Sequence, residues 1–228
     1  MNDPASGALA PVAGADAVGY GDVHATRTRY EKPCLDGLAA MKRNLLLLIF
    51  LLASLSAEAQ DDERLALSRD AAAQLGQDLS AALLTSLGTD GPVDAIGVCS
   101  VEASPIAARL SEQAGAQVGR TALRIRNPEN APDDAAREVM AAFARDLAAG
   151  ATAPPEHFQT RLDGSARYMS AIVTQPLCVT CHGSEIAPEV ATAISQNYPA
   201  DQATGFAVGD LRGAFIVEWP APTAQVQQ

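Results

Sequence analysis

The chain has 228 residues, of which 48% are hydrophobic and 19% charged, a globular composition with a net charge of −11. From residue 60 onward there are 11 arginines, no lysine and 21 acidic residues, a net charge of −10. Such an acidic chain repels phosphate backbones and anionic membrane surfaces, so the composition argues against nucleic-acid binding.

The first recognisable element along the chain is a secretory signal. Met41 is followed by a lysine and an arginine, then by an eleven-residue apolar run at 45–55, then by the small-x-small sequence Ala-Glu-Ala at 57–59. This is the order of a signal peptide, and the run is shorter than the ~20 residues that span a bilayer. We expect a signal peptide at residues 41–59, export to the periplasm, and a mature protein that begins near Gln60.

Forty residues precede that signal, and they show no clear apolar periodicity. We interpret Met41 as the true start and residues 1–40 as an over-extended, disordered start. The alternatives are an authentic long extension of the signal, or an anchor helix that stays in the membrane. In the first interpretation Cys34 is absent from the mature protein, and the three cysteines that remain are an odd number in an oxidising compartment, which requires an explanation.

Residues 60–228 are predicted to form a single domain. Apolar residues at intervals of three, four and seven predict helices, and alternating ones predict strands. In chain order the predicted elements are a long helix 61–88, a helix 104–116 with Ser104 as N-cap, a strand 117–128, a helix 131–150, strands 157–162 and 166–174, a helix 188–198, and a strand or hairpin 205–220. Hairpin-like links favour the α+β class with an antiparallel sheet.

The sequence Cys178-Val179-Thr180-Cys181-His182 carries the strongest chemical signal. Two thiols separated by two residues can reach the two vinyl groups of one haem, and a histidine directly after the second thiol can supply the proximal iron ligand. Attachment after export agrees with the signal peptide. The motif predicts one covalently bound haem c.

Three alternatives to haem fit the motif less well. A thioredoxin-like redox pair expects a helix that starts at the first cysteine, and Pro176, Gly183 and Pro188 disfavour one here. A zinc site needs about four ligands, and the chain has no second C-x-x-C or H-x-x-x-H pattern. A structural disulfide would not require His182.

The sequence also resembles the family of PAS-like c-type haem domains known as the Tll-like haem domain. The matching stretches are AIGVCS, RTALRIRNPENAPDD, PLCVTCHG, YPADQATGF and GDLRGAFIVEW, which run in the family's order over about residues 64 to 219. The resemblance implies an α+β fold, with a PAS-like antiparallel sheet, flanking helices and a long N-terminal helix. It also implies a single covalent haem c, a redox- or gas-sensing role, and a cysteine as distal iron ligand, which maps onto Cys99.

Other roles for these residues stay open on the sequence alone. Cys99 could simply be buried as a small hydrophobic residue. Met140, Met169 or His157 could instead supply the sixth ligand, although methionine usually fills gaps in a core and an imidazole is often exposed. Those four residues are therefore the candidates for the distal position.

Arg124 and Arg126 are candidates for binding the haem propionates, with surface ion pairs as the alternative. No Ser-His-Asp set, phosphate-binding glycine loop or pair of acids stands out, so we do not expect an enzyme. The expected function is redox or gas sensing with an unknown periplasmic signalling or redox partner, possible binding of a diatomic gas, and no stable membrane insertion after signal cleavage. A periplasmic electron-transfer cytochrome c is the alternative, and a haem peroxidase has less support.

Overall fold

The structure is a computed structural model that describes residues 35–222. It divides into two units, residues 1–49 and 50–228, and the predicted domain 60–228 lies within the second. Residues 1–40 were predicted to be disordered. Residues 35–40 belong to the first helix, and residues 1–34 lie outside the described residues. The helices are α1 Leu35–Thr89, α2 Ala103–Ala114, α3 Asp134–Ala148, α4 Val179–His182 and α5 Pro188–Asn197, and the strands are β1 Gln117–Thr121, β2 Glu156–Thr160, β3 Ala166–Val173 and β4 Leu211–Trp219.

The four strands form one open antiparallel sheet in the order β1-β4-β3-β2. β2 and β3 pair across a turn that contains Gly164, as the sequence predicted. β4 returns from the far end of the chain and lies between β1 and β3, so it is paired on both edges. The prediction of an α+β, PAS-like fold with an antiparallel sheet, flanking helices and a long N-terminal helix is confirmed.

One face of the sheet, here called the front face, packs against α1 and α2. Alternate residues of the strands point to this side, among them Val118, Tyr168 and Val217. They are buried in one cluster with Leu75 of α1 and Leu110 of α2. Trp219 closes the end of the cluster, where its indole N–H donates to the Ser68 hydroxyl at 2.8 Å.

The opposite face, here called the back face, packs against α3. Met140 and Phe143 of α3 lie in one buried cluster with Met169 of β3 and Ala214 of β4. α3 begins where Asp133 accepts a hydrogen bond from the backbone N–H of Ala136, which satisfies a free donor of the first turn. The helix therefore starts three residues later than the sequence predicted.

Three further predicted elements begin or end elsewhere. α1 begins at Leu35, well before the predicted start at residue 61. The segment before α2 is already a π-helical turn, Val98–Glu102, so Ser104 lies inside a continuous helical run and is not its N-cap. The predicted strand 117–128 stops at Thr121, because the carbonyl oxygen of Asn130 accepts hydrogen bonds from both the Thr121 hydroxyl and the Ala122 N–H. Those two bonds take the place of further strand pairing.

The last predicted element, a strand or hairpin over 205–220, is the single strand β4. A turn at Gly209, with φ of 95°, precedes it. Among the described residues, no helix combines the length and the apolar character needed to cross a membrane.

Candidate functional site

A cavity of about 250 Å³ opens between the front face of the sheet and the helices packed on it. The four residues singled out in the sequence, Cys99, Cys178, Cys181 and His182, all line it. Most of the remaining wall is apolar, but it includes three arginines. The wall also includes Ile172, Phe215, Gly213, Arg120, Arg126 and Arg212.

The Cys-x-x-Cys-His segment is more helical than its prolines and glycines suggested. A 3-10 turn, Pro176–Cys178, leads into α4, which is a single turn ending at His182. Pro176 occupies the start of the turn, where its missing N–H costs no hydrogen bond. The turn ends at Gly183, where a side chain would not fit because a Cβ would lie 2.5 Å from the carbonyl oxygen of Val179. The prediction that no helix starts at the first cysteine is therefore wrong, because a single helical turn begins directly after Cys178.

The imidazole of His182 is held in one orientation and one tautomer. Its Nδ1–H donates to the carbonyl oxygen of Ala203 at 2.6 Å, so Nε2 carries the lone pair. The ring of Phe206 lies edge-on to it, with centroids 6.3 Å apart. Burial, reinforced by the positive charges of Arg212 and Arg126, lowers the pKa of His182 to about 3. A neutral imidazole with a free Nε2 is the form that binds a metal.

The loop that carries Ala203 is fixed by a buried ion pair between Arg126 and Asp201. Their charged groups are 3.0 Å apart, and the side chains are 8% and 9% exposed. The same Arg126 nitrogen also donates to the carbonyl oxygens of Cys181, at 2.7 Å, and Ala203, at 3.3 Å. One guanidinium thus joins the motif to the loop whose carbonyl orients His182.

Asp201 is ionised in this arrangement. Burial opposes its ionisation, but the hydrogen bonds from Arg126 and from the backbone N–H of Ala203 outweigh burial and hold the pKa of Asp201 below its usual value. The Ala203 N–H bond is 2.9 Å long. The carboxylate therefore both neutralises Arg126 and shapes the loop.

The three described cysteines are free thiols and half-buried. Cys99 lies in the π-helical turn that precedes α2, and such turns are frequent at functional sites because the extra residue per turn changes where a side chain is presented. Burial raises the pKa of Cys181, with Arg126 acting in the opposite direction. Cys178 accepts a hydrogen bond from the backbone N–H of Gln175 at 3.3 Å.

The alternative distal ligands lie away from the cavity. Met140 and Met169 are fully buried in the cluster on the back face. His157 is on the edge strand β2, opposite Met169, and is not part of the cavity wall. Of the four candidates for the distal position, the structure brings Cys99 alone to the cavity.

The two arginines proposed from the sequence to bind propionates have other partners. Arg124 does not line the cavity; it stacks on the ring of Phe206 at 3.5 Å and donates to the carbonyl oxygen of Thr204 at 2.7 Å. Arg126 lines the cavity but is committed to Asp201. Sequence reasoning missed both Arg120 and Arg212. Arg120 could have been found, because it alternates with Val118 on β1 and so places a charge on an otherwise apolar face of the sheet.

Comparison with known proteins places the chain in a family. The Tll0287-like family profile matches residues 40–220. The chain belongs to the Tll0287-like family. A solved structure, the crystal structure of the cyanobacterial heme-protein Tll0287, matches with 29% sequence identity and a TM-score of 0.55, over 73% of this chain and 98% of that one. Curated protein sequences give no match.

The residues of the cavity fit a haem by their chemistry. Two thiols are available for thioether bonds, a neutral imidazole offers Nε2 to an iron, and a further thiol reaches the same space. Apolar side chains such as Ile172 and Phe215 suit a porphyrin plane. Among the described residues, no group of three or more histidine, cysteine or acidic side chains is arranged to hold a metal ion by itself.

Proposed function

We propose that this chain is an exported c-type haem protein of the periplasm that binds one haem covalently and senses redox state or a diatomic gas. The observation that supports it most is the convergence of Cys178, Cys181, His182 and Cys99 on a single cavity. Membership of the Tll0287-like family and the similarity to a cyanobacterial heme-protein support it independently.

Cys178 and Cys181 would hold the haem by thioether bonds. Each thiol adds across one vinyl double bond, its sulfur to one carbon and its hydrogen to the other, so attachment needs no oxidant and releases nothing. When bound, the haem would supply a redox-active iron. His182 would be the proximal ligand through Nε2, since Nδ1 is committed to Ala203.

Cys99 would be the distal ligand, and its chemistry favours sensing over electron transfer. A thiolate brings negative charge to the iron and stabilises the ferric state. On reduction the Cys99 sulfur would take up a proton and move away, which would make room in the cavity for CO or NO. A carrier protein retains both ligands through its cycle, whereas a sensor uses a replaceable one.

The position of Cys99 supports that role. It lies in a π-helical turn directly before α2, and its neighbour Val98 is buried while Cys99 is half-buried at the cavity. Movement of the thiol would therefore displace the start of α2, which packs on β1 and on α1. These contacts offer a route from ligand change to protein shape.

The test is a redox titration of the purified holoprotein followed by absorbance, with and without CO and NO, together with electron paramagnetic resonance of the ferric form. We expect a low-spin thiolate signal that disappears in both Cys99→Ala and Cys99→Ser, and gas binding that appears on reduction. Identical spectra in all three proteins would remove Cys99 from the site. Failure of the reduced protein to bind either gas would favour the electron-transfer alternative.

A further inference from the structure

The wall of the cavity holds more positive charge than its protein partners neutralise. Arg120, Arg126 and Arg212 all line it. Arg126 is neutralised by Asp201, but among the described residues neither Arg120 nor Arg212 has a carboxylate within ion-pair distance. Arg212 contacts the backbone carbonyl oxygen of Arg124 at 3.4 Å and lies 5.3 Å from the ring of Phe206. The cavity therefore carries two guanidinium groups that form no ion pair of their own with a described carboxylate, although Asp201 attracts Arg212 from a longer distance.

Both groups are held there at a cost. Burial lowers the pKa of Arg212 to about 10, and repulsion from Arg126 and Arg120 adds to this. Burial likewise lowers the pKa of Arg120. Both residues are half-buried, and both arginines stay charged at neutral pH. A charge that is partly removed from water is unfavourable unless an opposite charge lies beside it. The two guanidinium groups therefore suit one anion that carries two negative charges, or two anions that carry one negative charge each.

The fold turns both side chains to the front face. Arg120 is opposite Phe215 in the β1–β4 pairing, and both share the side of the sheet that faces the cavity. Arg212 reaches the same side through a β-bulge, because Ile172 pairs with Gly213 and Val173 with Leu211, which leaves Arg212 as the extra residue. Bulges near functional sites often redirect a side chain in this way.

We propose that Arg120 and Arg212 bind the two propionate carboxylates of the haem. The inference rests on the proposed haem and adds which residues hold its anionic groups. Two propionates carry two negative charges, which match these two guanidinium groups. An arginine fork also binds a carboxylate through two parallel hydrogen bonds. The cysteines would fix the haem by covalent bonds, and the arginines would fix its carboxylates.

The test uses the holoprotein and five single variants: Arg120→Gln, Arg212→Gln, Arg120→Lys, Arg212→Lys and the control Arg137→Gln. Arg137 is an exposed arginine of α3, on the back face, and pairs with Asp134 at 3.9 Å. Resonance Raman spectroscopy measures the propionate-bending bands, and a redox titration measures the midpoint potential. Because attachment is covalent, the variants keep their haem even when the propionates are released.

Each glutamine variant at Arg120 or Arg212 is expected to shift a propionate-bending band and to lower the midpoint potential, because lost positive charge stabilises the ferric state. Each lysine variant keeps the potential nearer to wild type but still shifts the band, because lysine lacks the bidentate fork. Arg137→Gln changes neither. If a glutamine variant fails to fold, the lysine variant carries the test.

Propionate bands that stay at their wild-type positions in all four cavity variants would overturn the inference while leaving the proposed function intact. So would a loss of the Cys99-dependent paramagnetic signal in Arg120→Gln with unchanged bands, since that would make Arg120 a partner of the thiolate. A wild-type protein without bound haem would overturn both proposals.

Discussion

The ion pair between Arg126 and Asp201 allows the support of His182 to be tested quantitatively. Asparagine at position 201 keeps an oxygen that can accept from the Ala203 N–H but removes the negative charge. Asp201→Asn therefore leaves a guanidinium buried without its partner, in a place where that side chain is 8% exposed. Removing one member of a buried pair costs about 3–5 kcal/mol of the free energy of unfolding.

The converse variant, Arg126→Met, removes three interactions. It leaves the Asp201 carboxylate buried and takes a donor from the carbonyl oxygens of Cys181 and Ala203. We expect a loss in the same range of about 3–5 kcal/mol, because the unpaired carboxylate dominates. The double variant leaves no unpaired charge, so its loss should be smaller than the sum of the two single losses by about 0.5–3 kcal/mol.

The assay is unfolding of the holoprotein in guanidinium chloride, followed by far-ultraviolet circular dichroism. Arg137→Gln is the control, since its pair is exposed and is worth about 0.2–0.5 kcal/mol. A loss below about 1 kcal/mol in both single variants, which is the range of exposed pairs, would refute the reasoning. Strict additivity in the double variant would refute it as well.

Four further outcomes are expected. Gly213→Ala should destabilise the protein by about 1–3 kcal/mol in the same denaturation assay, because its Cβ would lie 2.6 Å from a backbone carbonyl oxygen of β1. Gly119→Ala, whose nearest contact would be at 3.9 Å, should be close to neutral. The hydrogen bond from Arg167 of β3, together with the backbone N–H of Ala136, lowers the pKa of Asp133 to about 2. The stability that wild type gains over Asp133→Asn should therefore be complete above about pH 4 and disappear as the pH falls through 2. Equal pH profiles of stability for the two proteins would contradict this. Cys99→Ala should raise the midpoint potential of the haem relative to wild type. N-terminal sequencing of the exported protein should give a start near Gln60, and another start would contradict the signal-peptide prediction.

The sequence was most informative where one local rule decided the outcome. Periodic apolar residues predicted the end of the long helix to within a residue, at Thr89, but not its start, which lies at Leu35 and not at residue 61. The turn around Gly164 identified the β2–β3 hairpin. The spacing of two cysteines and a histidine indicated the proposed haem site, and resemblance to a family added Cys99. All four of those residues line one cavity.

What the sequence could not provide depended on contacts between distant segments. Arg126 pairs with a residue 75 positions away, so its neighbours gave no sign that it was already committed. Arg212 reaches the cavity through a bulge, and a single extra residue in a strand pairing has no sequence signature of its own. Ser104 failed as an N-cap because the π-helical turn before it was already helical.

Covalent attachment of a haem at Cys178 and Cys181 is the central feature of the proposed function. The direct measurement is the mass of the exported protein under denaturing conditions, after expression with the periplasmic haem-ligation machinery and extraction with acid acetone. We predict one haem per chain, retained through denaturation and extraction, and a Cys178→Ala/Cys181→Ala variant that retains none. A wild-type protein that releases its haem into the extract, or that carries none, would contradict the account.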